Sequence, residues 1–311
     1  MFAPHFLWLY VLFHPQPVET FSVYSDYRAL RDERIRIDIF HQSEYLYRLA
    51  LIGKHYEYFY IVLAIPSHAI KYSHSAMRFF GDTIGNLFIL FGKDEELKIG
   101  KIISEYHPSK VLIHFGGASA RKSGLLERVE NCLKEENISF VELGGVVANP
   151  ELSLVREGIA IGKREGVDFV LAVGGGSVLD SSKAIANGLA NPDVDVWDFS
   201  LGKAAPARTL PKGAILTLAA AGSEMSSSCV ITNAATGEKR GYNSSFNRMN
   251  FAIENPVLTY TVNPYQTACG AVDIAMHTIE RYFCPGEDTY LTDSIAEAVI
   301  KSTRKAAFDC M

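Results

Sequence analysis

Short apolar runs alternate with amphipathic segments along the chain from about residue 86 to residue 190. Four strand-sized runs lack the period-2 alternation of a half-exposed strand, namely residues 86–91, 110–115, 138–143 and 167–173. Four segments carry apolar residues at helical spacing, namely residues 94–107, 124–137, 149–166 and 178–190. Strands that are apolar on both faces and alternate with helices are typical of a parallel sheet, so we predict an α/β fold.

The same pattern divides the chain into three predicted parts. Residues 1–80 hold one of the 24 glycines but 18 of the 35 aromatic residues. We interpret them as an atypical N-terminal extension, for which a native second domain and a non-native or disordered segment both stay open. Residues 81–262 form the predicted α/β nucleotide-binding domain, with further strands beyond Ala214. Residues 263–311 show helical spacing and form the start of a predicted all-helical domain.

Composition excludes several classes of function. The formal net charge is -5 and no run of Lys and Arg occurs, so we predict no nucleic-acid partner. The apolar runs at residues 6–13 and 56–65 are too short to cross a bilayer, so we predict no membrane association. The five cysteines are widely spaced and contain no CxxC, which fits a reducing, cytoplasmic compartment.

Two glycine-rich turns follow predicted strands and precede predicted helices. They are "HFGGAS", residues 114–119, and "LAVGGGSVLDSSK", residues 171–183. Glycine lets a backbone approach a ligand closely, and the N-terminus of the following helix favours a phosphate. Neither turn matches GxGxxG or the P-loop, and a plain strand-to-helix turn is the alternative. Two such turns in one sheet predict a dinucleotide lying across the ends of the strands.

The first turn also bears on the choice of dinucleotide. A carboxylate beside the adenosine ribose would favour NAD, and "GGAS" offers none. Arg121 and Lys122 follow this turn, which favours NADP over NAD. The alternative is that both side chains are simply solvated.

The stretch "GAVDIAMHTI", residues 270–279, places Asp273 and His277 four residues apart on a predicted helix. At that spacing both side chains leave the same face and are able to share a metal ion. On one helix such a pair is also a common surface hydrogen bond, and a metal site needs further ligands from elsewhere.

Several stretches together resemble the iron-containing alcohol dehydrogenase family, most closely its NADPH-dependent butanol dehydrogenase and aldehyde reductase branch. They are "VELGGVVANPELSLVREGI", "DFVLAVGGGSVLDSSKAIA", "VDVWDF", "TLAAAGSEMSS" and "VDIAMHTIERYF". The resemblance implies a nucleotide-binding α/β domain followed by a helical domain, and a homodimer for the full-length family. It places a dinucleotide, NADP by the argument from Arg121 and Lys122, on ten residues: Gly117, Ser119, Asn149, Gly175, Gly176, Ser177, Asp180, Thr217, Ser223 and Lys239.

The resemblance also implies a reaction and a metal. The reaction is hydride transfer between NADP(H) and a short-chain alcohol or aldehyde, with Fe²⁺ or, alternatively, Zn²⁺ acting as a Lewis acid. Asp273 and His277 match two of the family's four metal ligands. The other two are histidines of later helices, and no histidine follows His277, so we expect the chain to be truncated at its C-terminus relative to the family. We also expect its last helices to expose apolar surface.

Three alternatives to this function stay open. One is a nucleotide-binding fragment of the same family without catalysis. Another is a relative resembling glycerol dehydrogenase, which shares the glycine turn. The third is a kinase-like or other phosphate-binding protein, although the chain lacks a P-loop lysine.

Overall fold

A parallel sheet forms because its central strands are apolar on both faces and are covered by helices on each side. The computed structural model describes residues 75–78, 87–284, 286 and 289–310. By its contacts the chain divides into residues 1–59 and 60–311, and all described residues lie in the second unit. The predicted extension over residues 1–80 therefore lies outside the described residues, apart from 75–78.

The strands of the described residues are β1 (Ser75–Arg78), β2 (Phe88–Phe91), β3 (Val111–Phe115), β4 (Phe140–Leu143), β5 (Phe169–Gly174), β6 (Lys212–Leu216), β7 (Ser228–Asn233), β8 (Glu238–Asn243) and β9 (Phe251–Glu254). Seven of them form one sheet in the order β1-β2-β9-β6-β5-β3-β4. All neighbours in this sheet are parallel except β1 and β2, which are antiparallel. The predicted α/β parallel sheet is confirmed.

The helices are α1 (Ile99–Ser104), α2 (Ser119–Lys122), α3 (Leu125–Glu135), α4 (Leu152–Glu165), α5 (Gly176–Ala190), α6 (Val196–Ser200), α7 (Pro264–Tyr282) and α8 (Tyr290–Cys310). The predicted helix over residues 94–107 is instead a short 3₁₀ turn followed by α1. Pro108 and the left-handed backbone of His107 end it there.

The two faces of the sheet are covered by different helices. On one face α1 and α3 pack over a core that contains Phe169 and Phe251, whose rings stack at 6.1 Å between centroids. On the other face α4, α5 and α6 enclose a second core that contains Trp197. The buried residues of β3 and β5 contribute to both cores, which explains why these strands show no alternation.

Strands β7 and β8 form a separate antiparallel hairpin. It attaches beside the carboxyl end of β4, where the Thr232 N–H donates to the Pro150 carbonyl at 2.8 Å. The sequence did not predict strand β8, because its residues are polar and largely exposed and show no apolar pattern.

Helices α7 and α8 pack against each other and leave much apolar surface exposed. The start of α7 is well specified, because Asn263 caps it by accepting from the Gln266 N–H and Pro264 occupies its first position. Phe283 and Tyr290 are 74% and 85% exposed. This agrees with the expectation that the last helices present apolar side chains to solvent. None of the helices in the described ranges combines the length and hydrophobicity needed to cross a membrane.

One glycine permits the close packing of α1 on α3. A Cβ added to Gly100 would lie 2.1 Å from the backbone oxygen of Cys132, which cannot move aside as a flexible side chain could. We expect Gly100→Ala to lower the free energy of unfolding by about 1–3 kcal/mol through overpacking. Urea unfolding measures this, and the exposed Lys101→Ala on the same helix serves as the control. Equal stability of the two variants would contradict the proposed packing.

Candidate functional site

The two predicted glycine turns meet at the carboxyl ends of neighbouring strands. Strand β3 lies between β4 and β5, so the chain passes to one side of β3 and then crosses to its other side. Such a reversal of strand order opens a crevice at the carboxyl edge, where α/β proteins bind ligands. The parallel pairing of Phe115 with Val173 brings the turn at Gly117 and the turn at Gly174–Gly176 side by side.

The glycines of the second turn are required for space. A Cβ on Gly174 would lie 2.5 Å from the Val178 side chain, and one on Gly175 would lie 3.3 Å from Leu218. Neither residue has a positive φ, so close approach, not unusual backbone conformation, explains this part of the turn. Gly176 opens the 15-residue helix α5, whose N-terminus points its partial positive charge at this edge.

The loop after β6 covers the second glycine turn. The Thr217 N–H donates to the Gly174 carbonyl at 3.1 Å. A Cβ on Gly176 would come within 3.8 Å of Ser223, so the space between the turn and this loop is bounded by Gly176 on one side and Ser223 on the other. Four predicted cofactor-binding residues therefore lie around one gap: Gly175, Gly176, Thr217 and Ser223.

A buried cation holds this arrangement together. The Lys183 side chain has no exposed surface, and its Nζ donates to Asp180 Oδ1 at 3.0 Å, to Ser223 Oγ at 2.9 Å and to the Ser228 carbonyl at 2.8 Å. Asp180 also accepts from Ser223 Oγ at 2.8 Å and from the Val230 N–H at 3.1 Å. Asp180 and Ser223 are thus engaged with the protein itself and shape the gap from below.

Two further predicted residues contact each other at the edge of the crevice. Asn149, in the left-handed region at φ 59°, follows β4, and Lys239 lies on β8. The Lys239 Nζ donates to Asn149 Oδ1 at 2.7 Å. Residues 90 positions apart in sequence are therefore adjacent. Ser177 lies in the first turn of α5, and Gly117 has open space where a Cβ would be.

Helix α7 approaches the same loop from the other side. A Cβ on Gly270 would lie 2.4 Å from the Ala219 carbonyl, so only glycine allows this contact. A small groove lies between the loop and the two last helices, lined by Ala220, Ala221, Ile274, His277, Thr278, Arg281 and Val299. His277 therefore faces the loop that covers the glycine turn.

The predicted metal ligands supply only part of a donor set. His277 Nε2 and Asp273 Oδ1 are 3.8 Å apart and both side chains are about half exposed. Among the described residues no group of three or more His, Cys, Asp or Glu side chains is positioned to hold a metal. Two donors do not make a divalent metal site, so the described residues do not fit a bound metal by themselves.

Sequence reasoning missed two buried groups near the site. His114 is fully buried and its ring nitrogens contact the Leu143 carbonyl at 2.7 Å and Ser181 Oγ at 2.8 Å. Burial lowers its pKa to about 4, although the hydrogen bond to Leu143 opposes the shift. Glu254 ends β9, and burial together with the nearby Glu224 raises its pKa to about 8. A titratable residue within an otherwise apolar strand was the available signal for both.

Comparison with known proteins gives a consistent set of matches. A family profile described as iron-containing alcohol dehydrogenase matches residues 87–256. NADH-dependent butanol dehydrogenase A of Clostridium acetobutylicum is 43% identical over 217 residues, which is 70% of this chain and 55% of the relative. NADPH-dependent aldehyde reductase YqhD of Escherichia coli is 37% identical over 214 residues, 68% of this chain and 54% of the relative.

A solved structure matches as well. The NADH-dependent butanol dehydrogenase A of Thermotoga maritima superimposes with a TM-score of 0.64 at 36% identity, covering 71% of this chain and 60% of the other. The chain spans about half the length of the curated relatives it matches.

The buried Lys183 yields a stability prediction. Lys183→Met removes the cation and leaves Asp180 with an uncompensated charge, so we expect a loss of about 3–5 kcal/mol in the free energy of unfolding. Urea unfolding at pH 7 measures it. Lys203→Met, which removes a 68% exposed lysine 3.9 Å from Asp198, is the matched control and should change stability by less than about 1 kcal/mol. Similar values for both variants would refute a central role for Lys183.

His114 predicts a specific pH dependence. Its pKa is about 4 in the folded protein and 6.5 ordinarily, so the unfolded chain binds more protons between these values. Stability from this group is complete above pH 6.5 and is lost as pH falls toward 4. Between pH 7 and pH 5 we expect wild type to lose about 2 kcal/mol more than His114→Gln. Urea unfolding at both pH values tests this, with exposed His107→Gln as the control. Parallel losses in wild type and His114→Gln would contradict it.

Proposed function

Because this chain belongs to the iron-containing alcohol dehydrogenase family, we propose that it transfers hydride between NADP(H) and a short-chain alcohol or aldehyde. The observation that carries the proposal is the gap at the switch point of the sheet. It lies between the second glycine turn and the loop after β6, the first glycine turn ends the neighbouring strand, and the face of α7 that carries His277 lies beside that loop.

The residues around the gap fit a dinucleotide. The absence of a side chain lets a cofactor approach the backbone closely at Gly117, Gly175 and Gly176. The N-terminus of α5 offers a partial positive charge to the pyrophosphate. We propose that Ser119 and Ser177 donate hydrogen bonds to the cofactor. We propose that the Asn149–Lys239 pair also contacts the cofactor, with the lysine contributing a positive charge.

A bound nicotinamide would supply the hydride chemistry itself. The chain's own contribution is to orient the cofactor and to limit water. Ala220, Ala221 and Ile274 contribute apolar walls to the small neighbouring groove, to which we assign the alcohol or aldehyde. Positioning of the two reactants at close range is the main source of acceleration that such a groove offers.

The proposal also includes a choice of dinucleotide and a dependence on a metal ion. Relatives include an NADH-dependent butanol dehydrogenase and an NADPH-dependent aldehyde reductase, so their names divide on the dinucleotide. The preference for NADP rests on Arg121 and Lys122. Asp273 and His277 are the proposed ligands that this region contributes to Fe²⁺ or Zn²⁺, and no reaction step is derived from that metal.

A second candidate function follows from the metal pair. A chain that holds two donors at half-exposed positions is compatible with dinucleotide binding without catalysis. A glycerol dehydrogenase-like activity would differ from the main proposal in its substrate. Binding of ATP in place of NADPH would favour a phosphate-binding protein of another class.

Cofactor binding and turnover separate these functions. We expect the purified chain to bind NADPH, seen as a change in nicotinamide fluorescence, and to oxidise it with butyraldehyde when ferrous iron is added anaerobically. Gly176→Val should weaken NADPH binding at least about tenfold, because its side chain fills the gap beside Ser223. Ala205→Val, at an exposed loop position, is the control. Binding without turnover would select the non-catalytic alternative, and no binding would reject the proposal.

A further inference from the structure

The positive charge of Arg121 is the sequence feature that favours NADP. In the structure, its guanidinium already pairs with carboxylates of the protein. Its Nη2 donates to Glu142 Oε2, and its Nη1 lies 3.5 Å from Glu130 Oε1. Its Cζ also lies 5.5 Å from the centre of the Phe115 ring. The guanidinium is therefore fixed by two carboxylates and one aromatic face, although its side chain is 53% exposed.

The two carboxylates form one cluster. Partial burial, a hydrogen bond to Glu142 and the charge of Glu142 raise the pKa of Glu130, while Arg121 and Lys134 lower it. Lys134 Nζ lies 3.8 Å from Glu130. Removing Arg121 from this cluster would leave two adjacent carboxylates with a single cation, so the guanidinium does not leave freely.

Glu142 lies beside the first glycine turn. It lies near the carboxyl end of β4, the strand that follows the first glycine turn and pairs with β3. The Gly145 N–H donates to the Gly116 carbonyl at 2.8 Å, which ties the end of β4 to that turn.

We propose that Glu142 is a specificity-determining residue that restrains the use of NADP(H) by holding Arg121. A 2′-hydroxyl adds no charge beside the turn and leaves the Arg121–Glu142 pair intact. A 2′-phosphate has to draw Arg121 away and then lies beside the Glu142 and Glu130 carboxylates, which repel it. The inference rests on the proposed dinucleotide function of this site, and it opposes the preference for NADP drawn from Arg121 alone.

The test compares dissociation constants for NADH and NADPH in wild type and in Glu142→Gln. The variant keeps the shape of the side chain but releases the guanidinium, so the ratio of Kd for NADH to Kd for NADPH should rise about tenfold. This is the size expected for one charge-assisted hydrogen bond. Glu127→Gln, an exposed carboxylate on α3, removes the same charge elsewhere and should leave the ratio unchanged.

A double variant shows whether the effect acts through Arg121. In an Arg121→Gln background, Glu142→Gln should raise the ratio clearly less than it does with Arg121 present, because only the repulsion by Glu142 is removed and no guanidinium is released. A purely structural role of Glu142 would weaken both dinucleotides alike, so an unchanged ratio overturns the inference. If wild type binds neither dinucleotide, the proposed function fails together with it. If wild type binds either one and the ratio does not move, only the role of Glu142 fails.

Discussion

The buried ammonium of Lys183 is the interaction on which the candidate site most depends. A cation without access to water has to be surrounded by acceptors, and those of Lys183 come from α5, from the loop after β6 and from the start of β7. One group therefore joins three segments that are far apart in sequence. The glycine turn at the start of α5 and the loop that covers it are therefore held as one unit.

The strand order explains why this unit lies next to the other glycine turn. Because β3 lies between β4 and β5, two glycine turns end at the same point of the sheet, and the loop after β6 closes over one of them. Helix α7 then reaches this loop at Gly270, so the segment that carries His277 lies beside the gap. The predicted glycine turns and the segment that carries His277 thus lie toward one edge of the sheet, and the chain spans about half the length of its curated relatives.

The charge that a side chain in this crevice offers to a ligand depends on the side chains it contacts, not on its residue type. Arg121 counts as a free cation in the sequence, but in the fold Glu142 and Glu130 hold it. Asp273 and His277 count as metal ligands, but among the described residues they form no group of three donors. In both cases the chemistry open to the residue is set by which side chains from other elements lie beside it.

The sequence alone determined the parallel α/β fold, since strands that are apolar on both faces need cover on both faces. It also located the two glycine-rich turns between a strand and a helix, because glycine marks such turns in the sequence itself. It could not determine the Lys183 network, the Asn149–Lys239 contact or the capture of Arg121. Each joins residues distant in sequence, and hydrogen bonds and ion pairs form only at distances that tertiary packing decides.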